Sequence, residues 1–160
     1  ASLWSTIKTS SMILWILAGA AGFSGVFAGV GGMQLMTRLA EAAPGGRWGV
    51  LIFAIVFIFV LGMFLETMAL IMLAAPILTP IILEQGFDGL WWALLFMIVL
   101  QTAFLTPPFG FAIFYLKSAA PPSVRIEEIY KATLPFIGIQ LFFVALAIFF
   151  PWLLTWLPNL

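Results

Sequence analysis

The sequence predicts an all-α membrane protein: transmembrane helices combined with a re-entrant helical hairpin and broken helices. Three observations carry this. Hydrophobic residues make up 64% of the chain and charged residues 8%, with a mean hydropathy of +1.22. Ordinary soluble domains carry about 25% charged residues, so the solvent that suits 160 residues of this composition is a bilayer. Next, the apolar residues fall into runs of about the 20 residues that a helical span needs. Finally, two runs are interrupted where an unbroken span is expected. One interruption is Gly62-Met63-Phe64-Leu65-Glu66-Thr67, and the other is Thr106-Pro107-Pro108-Phe109-Gly110. Lipid cannot hydrogen-bond a free N–H or C=O, so a break at membrane depth persists only where protein or a wet cavity covers it.

The first element is expected over 9–36 as a broken helix. Gly19, Gly22, Ser24, Gly25, Gly29, Gly31 and Gly32 crowd its second half. Small residues let helices pack closely in lipid, and this density also fits a loosened segment around 23–32. A short amphipathic helix over 31–43 follows, ended by Pro44-Gly45-Gly46. Residues 48–85 read as a re-entrant hairpin, because two arms of sub-span length meet at a polar, glycine-containing tip. Two thin full spans are the alternative. Pro76 and Pro80 are expected to kink or end the second arm. Residues 90–118 form a helix broken at 106–110: two prolines remove two amide donors, and Thr106, which precedes a proline, leaves helical geometry. An interfacial helix is expected over 122–131, with Ser123 as N-cap and Glu127 paired to Lys131. The last span, 133–157, carries no charge, and Pro151, Trp152 and Trp156 mark its far interface.

Charge sorts the two faces. Lys8, Lys117, Arg125 and Lys131 share one side, whereas Arg38 and Arg47 share the other with Glu84 and Asp88. The positive-inside rule places the first group in the cytoplasm, so the hairpin opens outward and the C-terminus is extracytoplasmic. The N-terminus shows no signal-peptide pattern and no initiator Met, which suggests part of a longer chain.

Several function classes drop out. A formal net charge of zero offers nothing to nucleic acid. With no cysteine and no histidine there is no disulfide, thiolate nucleophile or ordinary zinc or haem ligand set. No convergent nucleophile, base and orienting group is visible, so no enzyme is expected. The interruptions are the candidate site. Glu66 near mid-membrane costs about 2.5–3.5 kcal/mol on insertion scales. It is either a cation ligand, proton carrier or amide anchor, or a hydrated group at a tip nearer the interface. Thr67 is suited to cap the second arm. The Thr106–Gly110 break is either a kink or a site. As a site it offers carbonyls to a hard cation, and the helix that restarts near Phe109 offers amides and about half a positive charge to a carboxylate.

Three motifs together resemble the C-terminal half of the large membrane subunit of tripartite ATP-independent periplasmic (TRAP) transporters. They are Leu61-Gly62-Met63-Phe64-Leu65-Glu66-Thr67 leading to Ala75-Pro76-Ile77-Leu78-Thr79-Pro80, then Gly86-Phe87-Asp88, then Leu105-Thr106-Pro107-Pro108-Phe109-Gly110. Leu134-Pro135-Phe136 at the last span fits as well. Glu66 departs from the family, which often has Asp there. The resemblance implies one inverted repeat of an elevator-type transporter in a bacterial inner membrane. The missing N-terminal half of the same permease would supply the other repeat. It further implies sodium as coupling ion, with no other cofactor. The implied ligands are carbonyls and hydroxyls at Ser24, Gly62, Leu65 and Thr106, and the ion and substrate site extends to Glu66, Thr67, Pro107, Pro108 and Gly110. The implied partners are a small membrane subunit and a periplasmic solute-binding protein, and the implied substrate is an organic acid. Other expectations are a sodium/anion elevator transporter that needs no binding protein, and a noncatalytic membrane scaffold whose breaks are packing kinks.

Overall fold

The computed structural model describes residues 2–42, 44–65, 67–107, 110–121 and 123–156. These form eight helices: α1 (Ser2–Gly29), α2 (Gly32–Glu41), α3 (Arg47–Gly62), α4 (Thr67–Glu84), α5 (Gly89–Leu105), α6 (Phe111–Ala119), α7 (Ile126–Phe149) and α8 (Trp152–Thr155). No strand occurs among the described residues. Among the described residues two helices, α4 and α7, are long and apolar enough to cross a bilayer. The helices α3 and α5 are equally apolar in character but shorter.

The core is built where α3, α4 and α5 meet. Leu51, Ala54 and Ile58 of α3 are buried at helical spacing, as are Leu70, Ala74, Leu78 and Ile82 of α4 and Trp92, Leu95 and Val99 of α5. The opposite face of α3, Ile52, Val56 and Val60, is just as apolar and lies open. A helix that is hydrophobic all round belongs in a membrane or deep in a larger protein. In water, burying a Leu contributes about 1.5–3 kcal/mol. In lipid that drive between helices is lost, and association rests on close packing. Small buried residues such as Ala54, Ala74 and Ala103 serve that packing.

Aromatic contacts tie one end of the bundle together. The Trp48 ring meets Phe87 edge-on at 5.6 Å, and Phe87 stacks on Trp91 at 5.4 Å. Trp91 Nε1–H donates to the Ala147 carbonyl oxygen at 2.9 Å. The starts of α3 and α5 and the end of α7 therefore share this aromatic end. Lys117, at the end of α6, and Arg125, where α7 begins, occupy the opposite end. There Lys117 Nζ donates to the Val124 carbonyl. Both α5 and α6 pack along α7. At about 1.5 Å per residue, α7 is about 36 Å long, against about 24 Å for α3 and about 27 Å for α4.

Several local expectations need correction. The break in the first element falls at Val30 and Gly31, inside the expected 23–32, but the small residues before it are helical as far as Gly29. Among the described residues a Cβ built at Gly19, Gly22, Gly25 or Gly29 meets nothing within 4 Å, so these glycines are not points of close approach there. Pro76 and Pro80 do not end α4, which continues through both to Glu84. The segment expected as an interfacial helix plus a separate last span is one helix, α7. Pro135 lies inside it without ending it, and the Thr133 hydroxyl donates within the helix, 3.0 Å from the Ile129 and 2.9 Å from the Tyr130 carbonyl oxygen. Its N-cap is Arg125, not Ser123. Arg125 N–H donates to Glu128 Oε2 at 3.2 Å, and the ion pair joins Arg125 to Glu128 instead of Glu127 to Lys131. The span stops at Phe149 because Phe150 precedes Pro151 and leaves helical geometry, with φ −125° and ψ 73°.

Candidate functional site

At the tip of the α3–α4 hairpin the chain turns through Met63, Phe64 and Leu65. A helix end leaves its last four carbonyls without helical donors. A tightened turn supplies some of them: Met63 N–H donates to the Phe59 and Val60 oxygens, and Phe64 and Leu65 N–H both donate to Leu61, at 3.0 and 2.8 Å. The carbonyls of Gly62 and Leu65, implied as sodium ligands, belong to this turn. Leu65 itself is half-buried and packs on the core. Thr67 is the first residue of α4. The expected roles of Glu66, Pro108 and the Ser24 side chain lie outside the described residues.

The second interruption ends α5. Thr106 takes extended geometry, φ −92° and ψ 134°, as a residue before proline must. Its N–H donates to the Ala103 oxygen at 3.0 Å, and its hydroxyl donates to the Thr102 oxygen at 2.7 Å. Once the hydroxyl proton is committed to a carbonyl, the oxygen lone pairs remain to accept a donor or ligate a cation. Below it, the fully buried Thr102 hydroxyl donates to Ile98 at 2.8 Å, so the two threonines stand one turn apart. Pro107 continues the turn, and Gly110 closes it as the N-cap of α6 in left-handed geometry, φ 48° and ψ 69°. Only glycine holds that conformation without penalty. The Gly110 carbonyl accepts from Ile113 at 2.7 Å, which starts the new helix.

The fold brings the two interruptions together. A Cβ at Gly62 would stand 2.6 Å from Ala103 Cβ and 3.3 Å from Leu70 Cδ2. The hairpin tip therefore presses on α5 one turn before Thr106, and glycine alone permits the approach. Thr67 faces Gln101 and Phe104 across a cleft of about 280 Å³, continuous through Ile71 and Met97 with a second groove between α4 and α5. Gly62 therefore meets α5 at Ala103 and Thr67 meets it at Gln101 and Phe104, within about one turn of Thr106 along α5. Gln101 and Thr102 were not singled out by sequence reasoning. The available signal was polarity, since they are the polar pair inside the apolar run that leads to the break.

The chemistry of this junction is that of oxygen donors and helix ends. It places a threonine hydroxyl and turn carbonyls beside the N-terminus of α4, whose dipole places about half a positive charge there. None of the described side chains named at this junction is cationic. Such an arrangement can hold a hard cation by its oxygens and orient an anion without a lysine or arginine in lipid.

Comparison with known proteins identifies the family. The family described as "Tripartite ATP-independent periplasmic transporter, DctM component" matches residues 1–153. A "C4-dicarboxylate TRAP transporter large permease protein DctM" of Vibrio cholerae is 28% identical over 160 residues, covering all of this chain and 35% of that protein. An "Isethionate TRAP transporter permease protein DctMQ" of Oleidesulfovibrio alaskensis is 29% identical over 136 residues, 83% of this chain and 21% of that protein. A "Sialic acid TRAP transporter permease protein SiaT" of Haemophilus influenzae is 30% identical over 130 residues, 79% of this chain and 21% of that protein. The chain spans about a third or less of the length of these relatives. No solved structure matches it significantly. A family match that runs through all three motifs to beyond the end of α7 settles the assignment: the chain belongs to the DctM-component family of tripartite ATP-independent periplasmic transporters.

Proposed function

We propose that this chain contributes one transport repeat to the permease subunit of a secondary active transporter that imports organic acids by sodium symport. The observation that carries the proposal is the seating of Gly62 on Ala103, which joins the hairpin tip to the Thr106–Gly110 break. Two breaks brought together is how half-helix ends build a midplane site. Sodium ligands would be the Thr106 hydroxyl with the Gly62 and Leu65 carbonyls, and Ser24 would add a hydroxyl from α1. Glu66, Thr67, Pro107, Pro108 and Gly110 would complete the surroundings.

Helix lengths support the re-entrant form of the hairpin. Both arms start or end beside the aromatic end, yet they are shorter than α7 by about 12 and about 9 Å. A tip about 24 Å from that end lies inside a hydrocarbon layer about 30 Å thick. Lys117, Arg125 and Lys131 at the far end favour the cytoplasm there, which puts the aromatic end and the C-terminus in the periplasm of a bacterial inner membrane. The relatives named for C4-dicarboxylate, sialic acid and isethionate share one substrate feature, an anionic acid group. The family's tripartite name fits delivery by a periplasmic binding protein and bracing by a small membrane subunit, with rocking of the repeat as an elevator.

Uptake of a labelled organic acid by the full complex in proteoliposomes tests this. Transport is expected only with a sodium gradient and the binding protein. Equal uptake in sodium-free medium with no proton gradient would overturn the symport. Thr106→Val is expected to raise half-saturating sodium by about tenfold to about a hundredfold, since one hydrogen bond or ligand contact to a charge is worth about 1.5–3 kcal/mol. Thr106→Ser should stay near wild type.

A further inference from the structure

A second pocket lies away from the junction, at the aromatic end. It has a volume of about 360 Å³, and Arg47, Trp48, Phe87, Asp88, Trp91 and Pro151 line it. Its charges are of opposite sign and separately held. The Arg47 guanidinium carbon sits 4.8 Å from the Phe87 ring centre and 5.2 Å from that of Trp48. Contact with two rings holds the guanidinium at the pocket, and Arg47 makes no ion pair among the described residues, so its N–H groups remain to donate. Asp88 uses Oδ1 to cap α5, accepting from Trp91 N–H at 2.7 Å. Its other oxygen has no partner among the described residues.

We infer that this pocket binds the headgroup of a zwitterionic phospholipid, with the phosphate on Arg47 and the ammonium on Asp88. Arginine is the side chain best shaped for paired hydrogen bonds to phosphate oxygens. A carboxylate beside aromatic faces suits an ammonium. One fixed charge of each sign matches a headgroup that carries both, whereas a purely anionic headgroup would meet the Asp88 carboxylate. Tryptophan at helix ends marks the level of the headgroups in a bilayer. The strongly exposed Phe149 and Trp152 beside the pocket offer an apolar surface to the acyl chains.

Native mass spectrometry of the full permease, with added phosphatidylethanolamine or phosphatidylglycerol, tests the inference. The wild type is expected to retain phosphatidylethanolamine preferentially. Arg47→Gln should lower that occupancy at least fivefold, and Arg47→Lys should give an intermediate loss because charge remains and stacking goes. Asp88→Asn keeps a good helix cap, since Asn caps as well as Asp. It is therefore expected to fold and to shift preference towards phosphatidylglycerol. Unchanged occupancy in Arg47→Gln would overturn the inference, as would unchanged headgroup preference in Asp88→Asn. Binding of soluble glycerophosphoethanolamine as strong as that of the diacyl lipid would overturn the membrane source.

Discussion

Gly62→Ala is the smallest change that separates the hairpin tip from α5. The added Cβ would stand 2.6 Å from Ala103 Cβ, where carbon atoms rest at about 3.5–4.0 Å. Ala103 Cβ is bonded directly to its backbone, so no side-chain rotation relieves the clash. The helices must part by about 1 Å, which costs about 1–3 kcal/mol by analogy with overpacked cores. Alanine returns at most about 1 kcal/mol through helix propensity, and less at a helix end. The net expectation is a destabilised permease with weakened sodium affinity, since the tip and Thr106 lose their fixed spacing. Thermal unfolding in detergent and sodium-dependent uptake read the two effects. Ala103→Gly removes the opposing methyl, so the double variant should recover most of both losses. Wild-type stability in Gly62→Ala, or no rescue by Ala103→Gly, would refute the contact.

Gly110→Ala is expected to lose about 1–2 kcal/mol, because φ +48° places alanine in left-handed geometry and its Cβ would press Ile113 Cδ1 at 3.0 Å. Gly110→Asn should be milder, and the order Gly, Asn, Ala in melting temperature checks this. Trp91→Phe keeps the ring stack but removes the indole donor to Ala147, one of the last carbonyls of α7. A loss of about 1–2 kcal/mol is expected in thermal unfolding, with sodium affinity unchanged because the bond lies at the far end from the junction.

How much of this was legible in the sequence depends on the range of the forces. The Thr106–Gly110 break was readable because proline lacks an amide and constrains its neighbour, both local effects that the dihedral angles of Thr106 and Gly110 display. The turn after Gly62 was readable for a similar reason, since a glycine and a carboxylate interrupt an otherwise apolar run. The seating of Gly62 on Ala103 was not, because a close approach is a property of two helices and a lone glycine does not name its partner. The glycines of α1 show the converse. Their density invited a broken or tightly packed helix, yet a helix can run through glycine when each costs only about 1 kcal/mol. The charges at 125–131 looked like a separate surface helix, but Pro135 removes one ladder bond without ending the helix, and the stretch continues as α7.

The central claim is that the hairpin tip and the α5 break form one aqueous ion site within the membrane. The chain contains no cysteine, so single cysteines report cleanly. Leu65→Cys changes a side chain at the tip while keeping its backbone carbonyl. Labelling of this variant in the full permease with a membrane-impermeant maleimide, in sodium and in potassium, is the most direct measurement. The account predicts labelling in potassium and protection by sodium. Labelling only by lipid-soluble reagents, unaffected by sodium, would contradict it.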